Sequence, residues 1–129
     1  MFEIVLNQLK NIQRNPSGTE QLEILMKITM FLDTITDPVE REILLKSLID
    51  ENFVLILNDI VCSRFDILFM TTKLICILSE IEEFWQYFYD IYKNILRSIY
   101  FLIDNPIELW KLQPSLIEIF IMMQIILQR

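Results

Sequence analysis

The sequence predicts an all-α fold, and three observations predict it. Apolar residues recur at intervals of three and four along almost the whole chain, and no run alternates apolar with polar residues as a half-buried strand does. Helix starts are spelled out in side-chain chemistry. Ser17 with Glu20, Asp37-Pro38 with Glu40, and Asn105-Pro106 with Glu108 each set a hydrogen-bond acceptor ahead of a first turn and a glutamate three residues later. Finally, the chain has 1 glycine and 4 prolines, so connections are expected to be short. The pattern gives about seven helices in short helical hairpins.

The first helix is expected over Phe2–Arg14, where Phe2, Val5, Leu6, Leu9 and Ile12 share a face, and Asn15-Pro16-Ser17-Gly18 breaks it. A second runs from Ser17 to near Ile35, with Leu22, Leu25, Met26, Ile28, Thr29 and Leu32 as its buried stripe. Asp37 caps the third. Pro38 stands in its first turn, where a missing N–H costs nothing, and the helix ends near Ile49. A short apolar helix follows over Asn52–Val61. Ser63, with Asp66 in the box position, is expected to cap the next helix, Ser63–Ser79, which is apolar almost all round and therefore central.

Glu80, Glu82 and Glu83 form a solvated acidic corner that favours the following helix start through its dipole. One long aromatic helix is expected over Glu82–Ile103. Phe84, Phe88, Ile91, Ile95, Ile99 and Leu102 make its seam, Trp85, Tyr92, Leu96 and Ile103 widen it, and Glu83, Gln86, Asp90, Lys93, Arg97 and Asp104 hold the wet side. Asn105 opens a short turn ending near Leu112, and Pro114 restarts a final helix to about Gln128 that is greasy on most sides.

At 129 residues the chain is expected to be a single domain, 1–129, long enough for a real core. Apolar residues make up 53 % of it, and the mean hydropathy is +0.41. That excess has two readings: a large Ile/Leu-rich core, or surface that meets a partner. The net charge of −7 and scattered Lys and Arg exclude nucleic acid as a direct ligand and an anionic membrane surface as a target. Absence of Ala and His, with a single Gly, fits coding by an A/T-rich genome such as that of a virus, a parasite or an endosymbiont. Without Ala at helix contacts, packing must run through Leu, Ile and Phe at wide spacing. Cys62 and Cys76 are expected to be reduced core residues. Met1-Phe2-Glu3-Ile4 has no basic n-region, and Glu118 and Gln124 interrupt the nearest transmembrane candidate, Ile117–Leu127, so an intracellular location, cytoplasmic or nuclear, is expected.

Catalytic chemistry is missing from the residue supply. Without His there is no Ser-His or Cys-His pair and no imidazole ligand, and with 1 Gly there is no phosphate-cradling loop. No enzyme activity, metal or cofactor is expected.

Three segments look alike: Gln21–Ile35, Phe65–Ile81 and Ser115–Leu127, each an apolar helix with few charges. Leu32 and Leu78 lie about 46 positions apart, and Leu127 a similar distance on, within the spacing of helical-repeat arrays. The stretch from Phe53 to Ile81, a helix ending in apolar residues, a polar corner at Cys62-Ser63-Arg64 and a longer inner helix, resembles an armadillo unit. The resemblance, to armadillo and HEAT repeats, implies a stack of hairpins whose concave face binds a peptide or another protein. A compact irregular helical bundle gives the same periodicity and stays open as the alternative.

Two groups of residues are the candidate protein interface. Trp85, Tyr87, Tyr89, Tyr92 and Tyr100 crowd the aromatic helix, and Trp110, Phe120, Met122 and Met123 lie toward the C-terminus. Tyr and Trp bury area at low entropy cost while keeping a polar tip, and Met-rich surface adapts to partners. Leu127-Gln128-Arg129 also lacks the polar cap of a finished repeat array, so docking on another chain or self-association is expected there. The expected function is non-catalytic: an interaction module, adaptor or small subunit of a larger assembly, with a protein partner or a second copy of the chain. A second reading is a small pathogen-encoded bundle, similar to the Bcl-2 fold, that sequesters a host helix in a groove.

Overall fold

Caps and breaks set the helix order. A computed structural model describes residues 4, 7–8, 18–64 and 66–129. The expected first helix therefore lies outside the described residues except for Ile4, Asn7 and Gln8, which are helical, and the Ser17 cap lies outside them too. The described elements are α1 (Gly18–Thr34), α2 (Pro38–Asp50), α3 (Phe53–Ser63), α4 (Leu68–Leu78), a 3-10 helix (Glu82–Tyr87), α5 (Phe88–Ile103) and α6 (Pro106–Gln128). The fold is all-α, with no strand among the described residues.

The start of α2 follows its sequence signal: the Val39 N–H donates to Asp37 Oδ1 at 3.2 Å, and Pro38 occupies the first turn. Asn52 takes φ 66° between α2 and α3, a left-handed turn that asparagine tolerates better than most residues.

Packing runs in two rows. In one, α4 lies between α1 and α6; in the other, α3 lies between α2 and α5. Contacts of α3 with α4 and of α5 with α6 join the rows. Hydrogen bonds give the direction of neighbours. Arg64, just before α4, donates to Gln21 at 2.9 Å, and Thr29 reaches Met70 at 3.5 Å further along, so α1 and α4 run parallel. Asn94 donates to Asn58 at 2.8 Å and Ser98 to the Val61 carbonyl at 2.9 Å, so α3 and α5 run parallel as well. Arg129 donates to the Cys76 carbonyl and to Ser79 Oγ, which joins the C-terminal ends of α6 and α4. There its charge also faces the negative end of the α4 dipole.

No residue of α4 is exposed, as its apolar sequence led one to expect. Leu68, Leu74 and Leu78 are completely buried, and Phe53, Leu57 and Ile95 from the other row, with Phe84 from the 3-10 helix, complete the same core. Arg41 clamps the rim. It donates to both carboxylate oxygens of Glu80, at 2.7 and 3.0 Å, and to the Leu32 carbonyl at 2.6 Å, linking the ends of α1, α2 and α4.

Several local expectations are corrected. Ser63 does not cap α4: it closes α3, with its hydroxyl bonded to the Asp59 carbonyl at 2.7 Å, and α4 begins only at Leu68. Asp66 instead pairs with Arg64 at 2.7 Å, and that guanidinium holds the Asp66 carboxyl below its ordinary value. The aromatic helix is two pieces, because Glu82–Tyr87 winds as a tighter 3-10 helix before α5 starts. Pro114 does not separate two helices; α6 runs through it for 23 residues. The acidic corner is not simply solvated, since Glu80 pairs with Arg41 and Glu83 with Lys46 at 3.4 Å. Cys62 is exposed rather than core, and Cys76 is half-buried, with burial pushing its thiol up. Both thiols are free.

Most buried hydroxyls have partners. Thr29 and Thr71 donate to the carbonyls four residues back, and Ser79 donates to the Cys76 carbonyl. Thr72 is fully buried and its hydroxyl has no partner. A desolvated, unbonded hydroxyl costs on the order of 1–3 kcal/mol. Thr72→Val keeps the shape and removes the penalty, so a melting-temperature rise of about 3–5 °C by circular dichroism is expected, corresponding to roughly 1 kcal/mol.

Candidate interaction surface

The side of α5 turned away from α3 is set by two bonds. Asn94 and Ser98 reach α3, and the helix turns about 100° per residue, so Tyr92 and Leu96, two positions earlier in each case, lie on the opposite side. Tyr89 and Tyr100 extend that side by about a turn each way and are 73 % and 68 % exposed. Together with Phe88, Lys93 and Arg97 they line an open groove of about 360 Å³ along the helix. Its apolar lining is aromatic apart from Leu96, its two charges are positive, and among the described residues no carboxylate lines it. The Lys93 ammonium lies 5.9 Å from the Tyr89 ring centre, the outer range of a cation–π contact.

A ladder of rings holds the groove's near end. Phe84 and Trp85 meet edge to face at 5.6 Å, Trp85 and Phe88 lie 5.0 Å apart, and Phe88 and Tyr92 5.3 Å. Burial raises the Tyr92 phenol above its ordinary range. This ladder assigns Trp85 chiefly to structure, and Tyr87 is likewise half-buried against the core. Tyr89 and Tyr100 are the freely presented members of the aromatic group.

The C-terminal group divides in the same way. Ile119, Met123 and Ile126 face inward and are buried, so Met123 belongs to the core and is withdrawn from the interface. Met122 is half-buried, while Phe120 and Trp110 are exposed, Trp110 by 73 %. Sequence reasoning missed the more telling residues. Ile107, Ile117 and Ile121, with Trp110, form a stripe opposite the buried line, about 21 Å long from first to last at the helical rise. Nothing in the α6 periodicity could mark this face, because apolar residues occupy both sides of the helix. Lys93 and Arg97 were missed for another reason: on the wheel they look like an ordinary wet side, and only the groove brings them to an aromatic concavity.

Among the described residues no group of three or more His, Cys, Asp or Glu side chains is placed to hold a metal ion, and no helix is long and apolar enough to cross a membrane. No family model, curated protein or solved structure matches the chain.

Proposed function

We propose that the chain is a non-catalytic protein-interaction module, an adaptor or small subunit of a larger assembly, in which the outward face of α5 meets a partner protein and that of α6 meets a second copy of the chain. The observation that carries this is where the apolar surface lies. Among the described residues, 12 of the 18 large hydrophobic side chains that are exposed lie on α5 or α6. Exposed apolar surface concentrated on two helices costs solubility and is characteristic of docking sites.

We further read the architecture as an armadillo/HEAT-like stack. The three helices singled out for likeness in sequence correspond to α1, α4 and the later part of α6, and these are neighbours in one row. The bonds between the parallel neighbours join residues 36 to 43 positions apart, about one repeat in such arrays. Each hairpin then buries its apolar faces on the next. Complete burial of α4 is common to a stack and a bundle; the parallel pairs α1 with α4 and α3 with α5 are what favour the stack.

The experiment is charge substitution on the outward α6 stripe. Ile117→Glu with Ile121→Glu is expected to keep the fold and to reduce the chain's association, measured by light scattering after size exclusion. Loss of the fold by these variants would place the stripe in the core and overturn the reading.

A further inference from the structure

We propose that the α5 groove docks an acidic amphipathic helix of a partner protein. This rests on the reading of the chain as an interaction module and specifies the chemistry of what it holds.

Charge is the first argument. The chain carries −7, and four of its other cations are committed within the fold. Arg41 and Lys46 hold Glu80, Glu42 and Glu83, Arg64 holds Asp66, and Arg129 is bonded to Cys76 and Ser79. Among the described residues Lys93 and Arg97 have no carboxylate partner, yet they stand one turn apart along the groove. An acidic protein thus presents a cationic, aromatic concavity, which complements a ligand with apolar anchors flanked by carboxylates.

Shape and backbone chemistry choose the form of that ligand. From Phe88 to Tyr100 the groove is about 18 Å long, some three helical turns, matching anchors at i, i+3, i+4 and i+7 of a partner helix. Among the described residues the groove is lined by one helix, whose backbone groups are bonded internally, so it offers no sheet edge to an extended peptide. A partner helix satisfies its own backbone and asks only for side-chain contacts. The tyrosine hydroxyls and the two cations supply the polar rim.

A second copy of this chain fits less well. Two α5 helices crossing antiparallel about the groove centre bring Lys93 of one copy beside Arg97 of the other, twice. Such like-charge contacts select against the pairing.

The test uses the full chain and two fluorescent synthetic peptides of about 20 residues, long enough to be helical. Both carry leucine at i, i+3, i+4 and i+7; one is flanked by glutamate, the other by lysine. Fluorescence anisotropy is expected to show the glutamate peptide binding about tenfold tighter or more, as two charge pairs imply, with affinity falling as salt is added. Lys93→Glu with Arg97→Glu is expected to reverse the preference without moving the thermal melt. Equal or better binding of the lysine peptide overturns the proposal, and so does binding of neither. In that last case solution mass separates the two readings. A dimer that Tyr100→Glu splits leaves the interaction module standing with a second copy in the groove, whereas a monomer at 15.6 kDa that binds no peptide removes both.

Discussion

Leu74→Ala is expected to lower stability by about 3–5 kcal/mol, and the melting temperature by roughly 10–20 °C. Leu74 is completely buried in the middle of α4, the helix that packs against α1, α3 and α6. Truncation there removes the transfer energy of the lost methyl groups and leaves a cavity that its neighbours cannot close without moving two rows of helices. Because the chain has no alanine, its helices meet through long branched side chains, so no short backbone approach stands ready to collapse the void. Total stabilities of about 5–15 kcal/mol are usual, so this one change should take a third or more of the whole. A chemical-denaturation series on Leu74→Ala and on Phe53→Ala, another fully buried side chain, checks it. A loss below about 1 kcal/mol would mean that α4 is not the packed centre of its row.

The second large effect is on association, not on folding. Ile117→Glu with Ile121→Glu should leave stability within about 0.5 kcal/mol of the parent, since both side chains are more than half exposed and glutamate is at least as good a helix former as isoleucine. The same pair of substitutions should weaken any contact made by the α6 stripe by at least about a hundredfold, because each carboxylate would have to shed its water without a partner. The contrast is the point. A side chain that costs nothing to the monomer and much to the complex is an interface residue, whereas a core residue such as Leu74 shows the reverse.

The sequence was most legible where one local interaction decides the structure. Asp37-Pro38 specified the start of α2, and the seam Ile91, Ile95, Ile99 and Leu102 specified the inner face of α5. It was less legible where two local options compete. Ser63 has a hydroxyl that caps a following helix or bonds back into the preceding one, and here it bonds back to Asp59. Glu82–Tyr87 shares the aromatic pattern of α5, and periodicity does not distinguish a 3-10 start from an α-helix over so few residues. At Pro114 the missing N–H costs the Trp110 carbonyl its helical bond, a penalty that usually ends a helix. Burial of Ile119, Met123 and Ile126 beyond it accompanies the continuous α6 and helps to offset that loss.

The candidate surface was legible by type and not by position. Tyr89, Tyr100, Trp110 and Phe120 are presented outward, whereas Met123 turned inward, because on a helix apolar all round only the location of α4 selects the buried side. The cations were visible as residues, but their meaning depends on the ionic partners that Arg41, Lys46 and Arg64 find elsewhere and that Lys93 and Arg97 lack among the described residues.

The most direct measurement follows Trp110, which stands in the α6 stripe and is one of 2 tryptophans. With Trp85→Phe as the background, Trp110 becomes the single reporter, and its acrylamide quenching is followed over a range of chain concentrations. The account predicts a fully accessible indole at high dilution that becomes shielded as concentration rises, with no shielding when Ile117→Glu and Ile121→Glu are added. An indole shielded at every dilution would show the stripe packed inside a single chain. One equally accessible at every concentration, with and without the two glutamates, would show that the stripe makes no contact of its own, and either result contradicts the account.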